Sequence, residues 1–237
     1  MNDKLIIALD VGSATEAREW FDKLRGHAGM FKVGAQLFTA AGPSIVREIV
    51  GAGGRVFLDL KFHDIPNTVA NACREAVRLG VTLCNVHAAG GSEMLRRALA
   101  AMIETAEREG LSRPKLLAVT VLTSTDQATL REIGVSEQLE TQVTRLARLA
   151  SACGLDGVVA SPHEIAPVRS AVEHRDFLIV TPGVRPRGVA HNDQKRVLTP
   201  AAALRAGADY LVIGRAILNA PDPLRAIEEI EETMNAE

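Results

Sequence analysis

Eight short apolar runs, each followed by an amphipathic stretch, divide this chain from residue 4 to residue 234. The runs cover residues 4–9, 30–33, 55–58, 82–86, 115–121, 157–160, 177–180 and 210–213. Unbroken apolar, β-branched character over so few residues suits strands buried on both faces, as a parallel sheet requires. Helical patterns lie between them, at 14–24, 43–50, 68–79, 92–109, 137–153 and 222–234. Ser13 stands as an N-cap before the first of these, and Gly80 and Gly110 stand as stop signals after the third and fourth. Nothing in the chain reads as a hairpin, a linker or a low-complexity tract. Eight β-then-α units in 237 residues predict an α/β protein, a closed (β/α)8 TIM barrel forming a single domain over residues 1–237. The alternative is an open doubly wound sheet, which favours a Gly-x-Gly-x-x-Gly turn after its first strand. Here that turn reads Asp10-Val11-Gly12-Ser13.

Composition removes several classes of partner. The 29 acidic and 27 basic residues nearly cancel, leaving no global field to hold nucleic acid or an anionic membrane. Six Phe, one Trp and one Tyr offer few platforms for stacking bases. Cys73, Cys84 and Cys153 lack paired spacing and read as reduced, buried small hydrophobes. The five apolar residues 5–9 are too few for a signal-peptide core or a spanning helix, so a cytoplasmic protein is expected.

Barrel enzymes carry their chemistry at the carboxyl ends of the strands, and here those ends are polar. Asp10 closes the first run, Lys32 lies near the end of the second, Asp59 and Lys61 follow the third, His87 the fourth, Thr123 the fifth and Arg215 the eighth. Asp59 and Lys61, two apart on a strand, share a face directed into the barrel mouth. A lone Asp-x-Lys is ordinarily a structural ion pair. With Asp10 and Lys32 arriving from neighbouring strands, however, the geometry predicts an alternating array of cations and anions, which buried charges need in order to be tolerated.

The decamer Asp-Leu-Lys-Phe-His-Asp-Ile-Pro-Asn-Thr at 59–68 is the most specific motif in the chain. Together with Ala-Leu-Asp at 8–10, Phe-Lys-Val-Gly at 31–34, Thr-Pro-Gly-Val-Arg-Pro at 181–186 and Ile-Gly-Arg at 213–215, it resembles the bacterial-type orotidine 5′-phosphate decarboxylases over nearly the whole chain. The resemblance implies conversion of orotidine 5′-monophosphate (OMP) to uridine 5′-monophosphate (UMP) and carbon dioxide in pyrimidine biosynthesis, without metal or cofactor. It assigns Lys61 as the proton donor to carbon 6 of the pyrimidine. Asp59 and Asp64 flank the departing carboxylate, and Lys32 and Asp10 contact the ribose and hold the charge array. It also implies a homodimer with shared sites, Asp64, Ile65 and Thr68 reaching into the neighbouring subunit. Chemistry agrees with the role of Lys61: the carbanion left on carbon 6 has no adjacent carbonyl, so a fixed ammonium beside it is the natural stabiliser.

The loops after the seventh and eighth strands are the usual phosphate corner of a barrel. Gly214 permits close backbone approach, the next segment is expected to open a short helix, and Arg215 offers a bidentate fork. The Gly/Pro/Asn/Asp-rich stretch 183–195 reads as a lid. By resemblance Arg185 and Gln194 close it over the phosphate, and Thr123 contacts the pyrimidine from the opposite rim. His87 reads equally as a ligand-orienting or a structural histidine, and His63 is expected to point away from Lys61. The remaining histidines have no metal-ligand spacing. Ser124 and Ser161 lack the setting of a nucleophile.

Two other functions would call for different residues at these positions. A magnesium-dependent sugar-phosphate decarboxylase or aldolase of the same barrel group needs an acidic ligand near the end of the second strand, where Lys32 stands. A non-catalytic nucleotide sensor could dispense with Lys61 or Asp64, and both are present.

Overall fold

The computed structural model describes residues 2–174, 176–184 and 198–235. Eight strands close into one parallel barrel in chain order, each hydrogen-bonded to the next and the last to the first. They are β1 (Asn2–Ala8), β2 (Ala28–Gly34), β3 (Val56–Phe62), β4 (Leu83–His87), β5 (Lys115–Val119), β6 (Gly157–Val159), β7 (Leu178–Pro182) and β8 (Tyr210–Ile213). All eight expected strands are present, with ends displaced by a few residues.

The helices are α1 (Ala14–Leu24), α2 (Ala35–Ala41), α3 (Ser44–Gly51), α4 (Pro66–Arg78), α5 (Gly91–Glu109), α6 (Gln127–Glu132), α7 (Leu139–Ala152), α8 (Ile165–Ala171), α9 (Pro200–Arg205), α10 (Arg215–Leu218) and α11 (Pro223–Asn235). Ser13 caps α1 by accepting from the Glu16 N–H at 3.2 Å. Gly110 ends α5 in the left-handed conformation, φ 66°, that a residue with a Cβ adopts only at a cost. α4 begins two residues earlier than expected because Pro66 occupies its first turn, where a missing N–H costs nothing.

Period-two alternation sends each strand's side chains to two cores. Leu5, Ile7, Phe31, Val33, Val56 and Leu58 pack outward beneath the helices. Ile6, Met30, Phe57, Leu117, Val159 and Val212 fill the barrel interior. On three adjacent strands the inward series then turns from apolar to charged: Ala8 is followed by Asp10, Met30 by Lys32, and Phe57 by Asp59 and Lys61. The apolar layers thus floor a charged mouth.

The opposite end of the barrel is tied by carboxylates placed just before strands. Asp156 takes two bonds from the Arg113 guanidinium at 2.7 and 2.8 Å, one from the Leu116 N–H at 2.8 Å, and an ion pair from Lys115 at 3.1 Å. Asp209 accepts from the Ile179 N–H at 2.7 Å and from Arg169. Burial pushes the Asp156 carboxyl upward, but the Arg113 and Leu116 bonds outweigh it and hold the group below its ordinary value of 3.8. A depressed carboxyl stabilises the fold fully above its unfolded value and loses that contribution as pH falls through the folded one. Asp156→Ala is therefore expected to cost about 2–3 kcal/mol in urea melts at neutral pH. The gap from wild type should shrink once the pH drops below about 3.8.

Cys73, Cys84 and Cys153 are buried and unpaired, as expected, and burial pushes the Cys73 thiol up to about 12. Among the described residues no helix is long and apolar enough to cross a membrane.

Candidate active site

A cavity of about 280 Å³ opens at the carboxyl ends of the strands. Its polar lining comprises Asp10, Lys32, Asp59, Lys61, Thr123 and Arg215, over a floor of Phe57, Val119, Val159 and Val212. Seven of the residues singled out from sequence, these six and Gly214, meet in this one space.

The four central charges form a continuous alternating chain. Lys32 Nζ donates to Asp10 Oδ1 at 2.8 Å and lies 3.5 Å from Asp59 Oδ2. Lys61 Nζ donates to Asp59 Oδ1 at 2.7 Å. Every charge has an opposite neighbour, which is how so dense a cluster survives next to an apolar floor. The Lys32 and Asp59 side chains are only 10% and 12% exposed, whereas Lys61 is 34% exposed. Lys61 is thus the ammonium open to a ligand, and the inner pair holds it in place electrostatically. Gly34 leaves room for the array, since a Cβ there would sit 2.8 Å from Lys32 Nζ.

The backbone at Lys61 departs from a simple strand. Its φ of 51° is the one positive value at a non-glycine position among the described residues, a conformation costing on the order of 1–2 kcal/mol. The β3–β4 register shifts in the same place, Leu58 pairing with Cys84 and Phe62 with Val86. Four steps along β3 are thus matched by two along β4, a bulge that re-aims Lys61. His63 follows this irregularity and is exposed, with its ring 5.4 Å from that of His87. Burial, the His63 ring and the Lys61 ammonium together push the His87 pKa below its usual range, so His87 is neutral at neutral pH.

Asn85 was not singled out from the sequence. It is fully buried on β4, accepts from the Lys61 backbone N–H at 2.8 Å and donates to Asp59 Oδ1 at 2.7 Å. The available signal was a lone amide inside an apolar run, which must find partners when buried.

Asp64, Ile65 and Thr68 are exposed beyond the end of β3 and do not line the cavity. Asp64 Oδ1 instead accepts from the Ile65 N–H at 2.6 Å, so within one chain the array is Asp10, Lys32, Asp59 and Lys61, without Asp64. At the corner expected to receive a phosphate, Arg215 opens α10, the expected short helix. A Cβ on Gly214 would lie 3.0 Å from the Ala8 side chain and 3.7 Å from Asp10 Oδ2, so this corner abuts the charge array. The expected lid residues Arg185 and Gln194 fall outside the described residues. Among the described residues no three His, Cys, Asp or Glu side chains gather as a metal site.

Comparison with known proteins adds independent weight. A protein from Geobacter sulfurreducens named orotidine 5′-phosphate decarboxylase is 56% identical over 234 residues, 99% of this chain and 97% of that one. A protein of the same name from Moorella thermoacetica is 57% identical over 229 residues, 96% and 90% of the two chains. The crystal structure of orotidine 5′-phosphate decarboxylase from Lactobacillus acidophilus superposes with a TM-score of 0.82 at 38% identity, covering 99% of this chain and all of the other. The family model for "Orotidine 5′-phosphate decarboxylase / HUMPS family" matches residues 3–230, and with relatives this similar over nearly their full length the chain belongs to that family.

Proposed function

We propose that the protein is an orotidine 5′-phosphate decarboxylase, which removes carbon dioxide from OMP and protonates the pyrimidine to give UMP in pyrimidine biosynthesis. The observation that carries this reading is the Asp10–Lys32–Asp59–Lys61 chain at the cavity, with its outermost ammonium the accessible one. Lys61 stabilises negative charge developing at carbon 6 and supplies the proton that replaces the carboxylate. Asp59, already bound to both lysines, fixes Lys61 and repels the substrate carboxylate until it leaves. Lys32 and Asp10 anchor the ribose, Thr123 meets the pyrimidine, and Gly214 with Arg215 receives the phosphate.

The magnesium-dependent alternative is disfavoured by the same geometry. Both carboxylates that face the cavity already hold the Lys32 ammonium, which occupies the place a dication would need. Absorbance at the pyrimidine band, followed with OMP in the presence and absence of a chelator, tests the reading: turnover unaffected by chelator supports it. Binding of OMP without turnover would instead indicate a sensor, and loss of turnover on chelation a metal enzyme.

The active unit in this reading is a cytoplasmic homodimer with shared sites. Support comes from the exposure of Asp64, Ile65 and Thr68 beside the mouth, Ile65 being 67% exposed, where a second subunit would find a hydrophobic anchor. Mixing two inactive variants tests it. A mixed dimer of Lys61→Met and Asp64→Ala subunits has one site with both defects and one intact site. Half of randomly assorted dimers are mixed, so about a quarter of wild-type activity should return. Recovery of nothing would place Asp64 in its own subunit's site, and an Asp64→Ala variant that is active by itself would place Asp64 outside catalysis.

A further inference from the structure

The Lys61 ammonium is useful only if the strained backbone beneath it stays put. We propose that Asn85 is a positioning residue for the decarboxylation: its single buried amide holds the left-handed Lys61 backbone with one atom and orients the Asp59 carboxylate with the other. The inference rests on the role of Lys61 given above and extends it to a residue that does not line the cavity.

Three observations support it. First, the bulge between Leu58 and Phe62 interrupts the ladder to β4, and the Lys61 N–H donates to the Asn85 side chain at 2.8 Å. A side chain thereby stabilises a backbone conformation, φ 51°, that lysine does not favour by itself. Second, the amide's other end donates to Asp59 Oδ1 at 2.7 Å, the same oxygen that accepts from Lys61 Nζ. Asn85 thus fixes the lysine at its backbone directly and at its ammonium through Asp59. Third, Asn85 is fully buried, with Leu117 of β5 as its register partner, so its side chain has no water to exchange with. Its orientation is determined as well. Reversing the amide would set donor against donor at Lys61 and acceptor against carboxylate at Asp59.

Two variants test the assignment, read by kcat, by KM for OMP and by UMP affinity. Asn85→Leu has similar volume and neither polar function. Its kcat should fall about a hundredfold at every pH, with UMP affinity within about threefold of wild type, because the loss is one of alignment and not of binding. Asn85→Asp separates positioning from packing. As a carboxylic acid it can accept from the Lys61 N–H and donate to Asp59; once ionised it presents a second anion to Asp59.

The titratable groups around it are Asp59 and Lys61 on β3 and His87 on its own strand; all are present in wild type, whose profile is the reference against which the new carboxyl, with its coupling to Asp59, is read. The Asn85→Asp kcat relative to wild type should therefore rise about tenfold or more as pH falls through the new group's titration. A relative profile that is flat, or that falls toward acid, overturns the proposal, as does a neutral-pH kcat within about threefold of wild type in either folded variant. Should Asn85→Leu fail to fold, the Asn85→Asp profile decides alone. A wild-type chain that leaves OMP unchanged would overturn the functional reading with it, whereas active wild type beside unimpaired variants overturns this inference only.

Discussion

Replacing Lys61 by methionine is expected to lower kcat/KM for OMP by at least about ten-thousandfold while UMP still binds. Two contributions vanish together: the ammonium that stabilises charge at carbon 6, and the proton delivered there. Each is ordinarily worth about a hundred- to a thousandfold or more, and ten-thousandfold corresponds to about 5.5 kcal/mol of barrier. The fold should tolerate the change. Asp59 keeps Lys32 at 3.5 Å and the Asn85 amide at 2.7 Å, so its carboxylate is not stranded. UMP carries no carboxylate at carbon 6, so its affinity should move by less than about tenfold. The measurement is single-turnover conversion of OMP alongside a UMP titration. A variant that keeps a tenth of wild-type activity would remove Lys61 from the chemistry.

Electrostatic repulsion cannot substitute for that ammonium. A carboxylate such as Asp59 held ~4 Å from the substrate's would raise the ground state by roughly 4 kcal/mol at an effective dielectric of about 20. Even if all of it were relieved as carbon dioxide departs, the gain is about a thousandfold. The arrangement of charges fits this division of labour. Asp59 is largely buried and bonded to Lys32, Lys61 and Asn85, a setting that keeps its charge fixed in place, while Lys61 is the cation of the chain with room to face a ligand.

Much of this architecture was legible because it follows from burial. Strands covered on both faces must be apolar, so all eight declared themselves, and α1 matches its expected limits, 14–24, because a cap and a full amphipathic period coincide. The helices Ala35–Ala41, Gln127–Glu132, Ile165–Ala171 and Pro200–Arg205 were not seen, being one or two turns long and unable to display a period. β2 starts at Ala28 and not at Met30 because Gly29 lets the chain pass against Asp3, where a Cβ would meet the carbonyl oxygen at 2.5 Å. That contact is between backbones and leaves no hydrophobic signature.

In the site, Asp10, Lys32, Asp59 and Lys61 were legible as charges ending adjacent strands. The left-handed Lys61 and its Asn85 support were not, since a positive φ at lysine has no signal in spacing. Asp64 separates the two sources of inference. Its motif groups it with Lys61, while its place after the strand leaves it exposed and bonded to its own loop.

The second large effect is expected at the other end of the cavity. Arg215→Ala should reduce kcat/KM for OMP by about a hundredfold to a thousandfold, the usual cost of removing one partner of a charge-assisted contact to an anion. Turnover of orotidine, which lacks the phosphate, should change by less than about twofold. The geometry makes that contrast sharp. Arg215 enters the cavity from the start of α10, after Gly214, whereas Lys61 enters from β3, and Gly214 adjoins Asp10 at the far end of the charge chain. Arg215 can therefore grip a non-reacting group without touching the carbon that loses its carboxylate. Binding energy spent there holds the substrate in register with Lys61, so its loss should appear in kcat as well as in KM. Steady-state kinetics on both substrates in wild type and variant give the four values required. An equal fall on orotidine would show that Arg215 supports the barrel mouth as a whole, and the assignment of this corner to the phosphate would have to be abandoned.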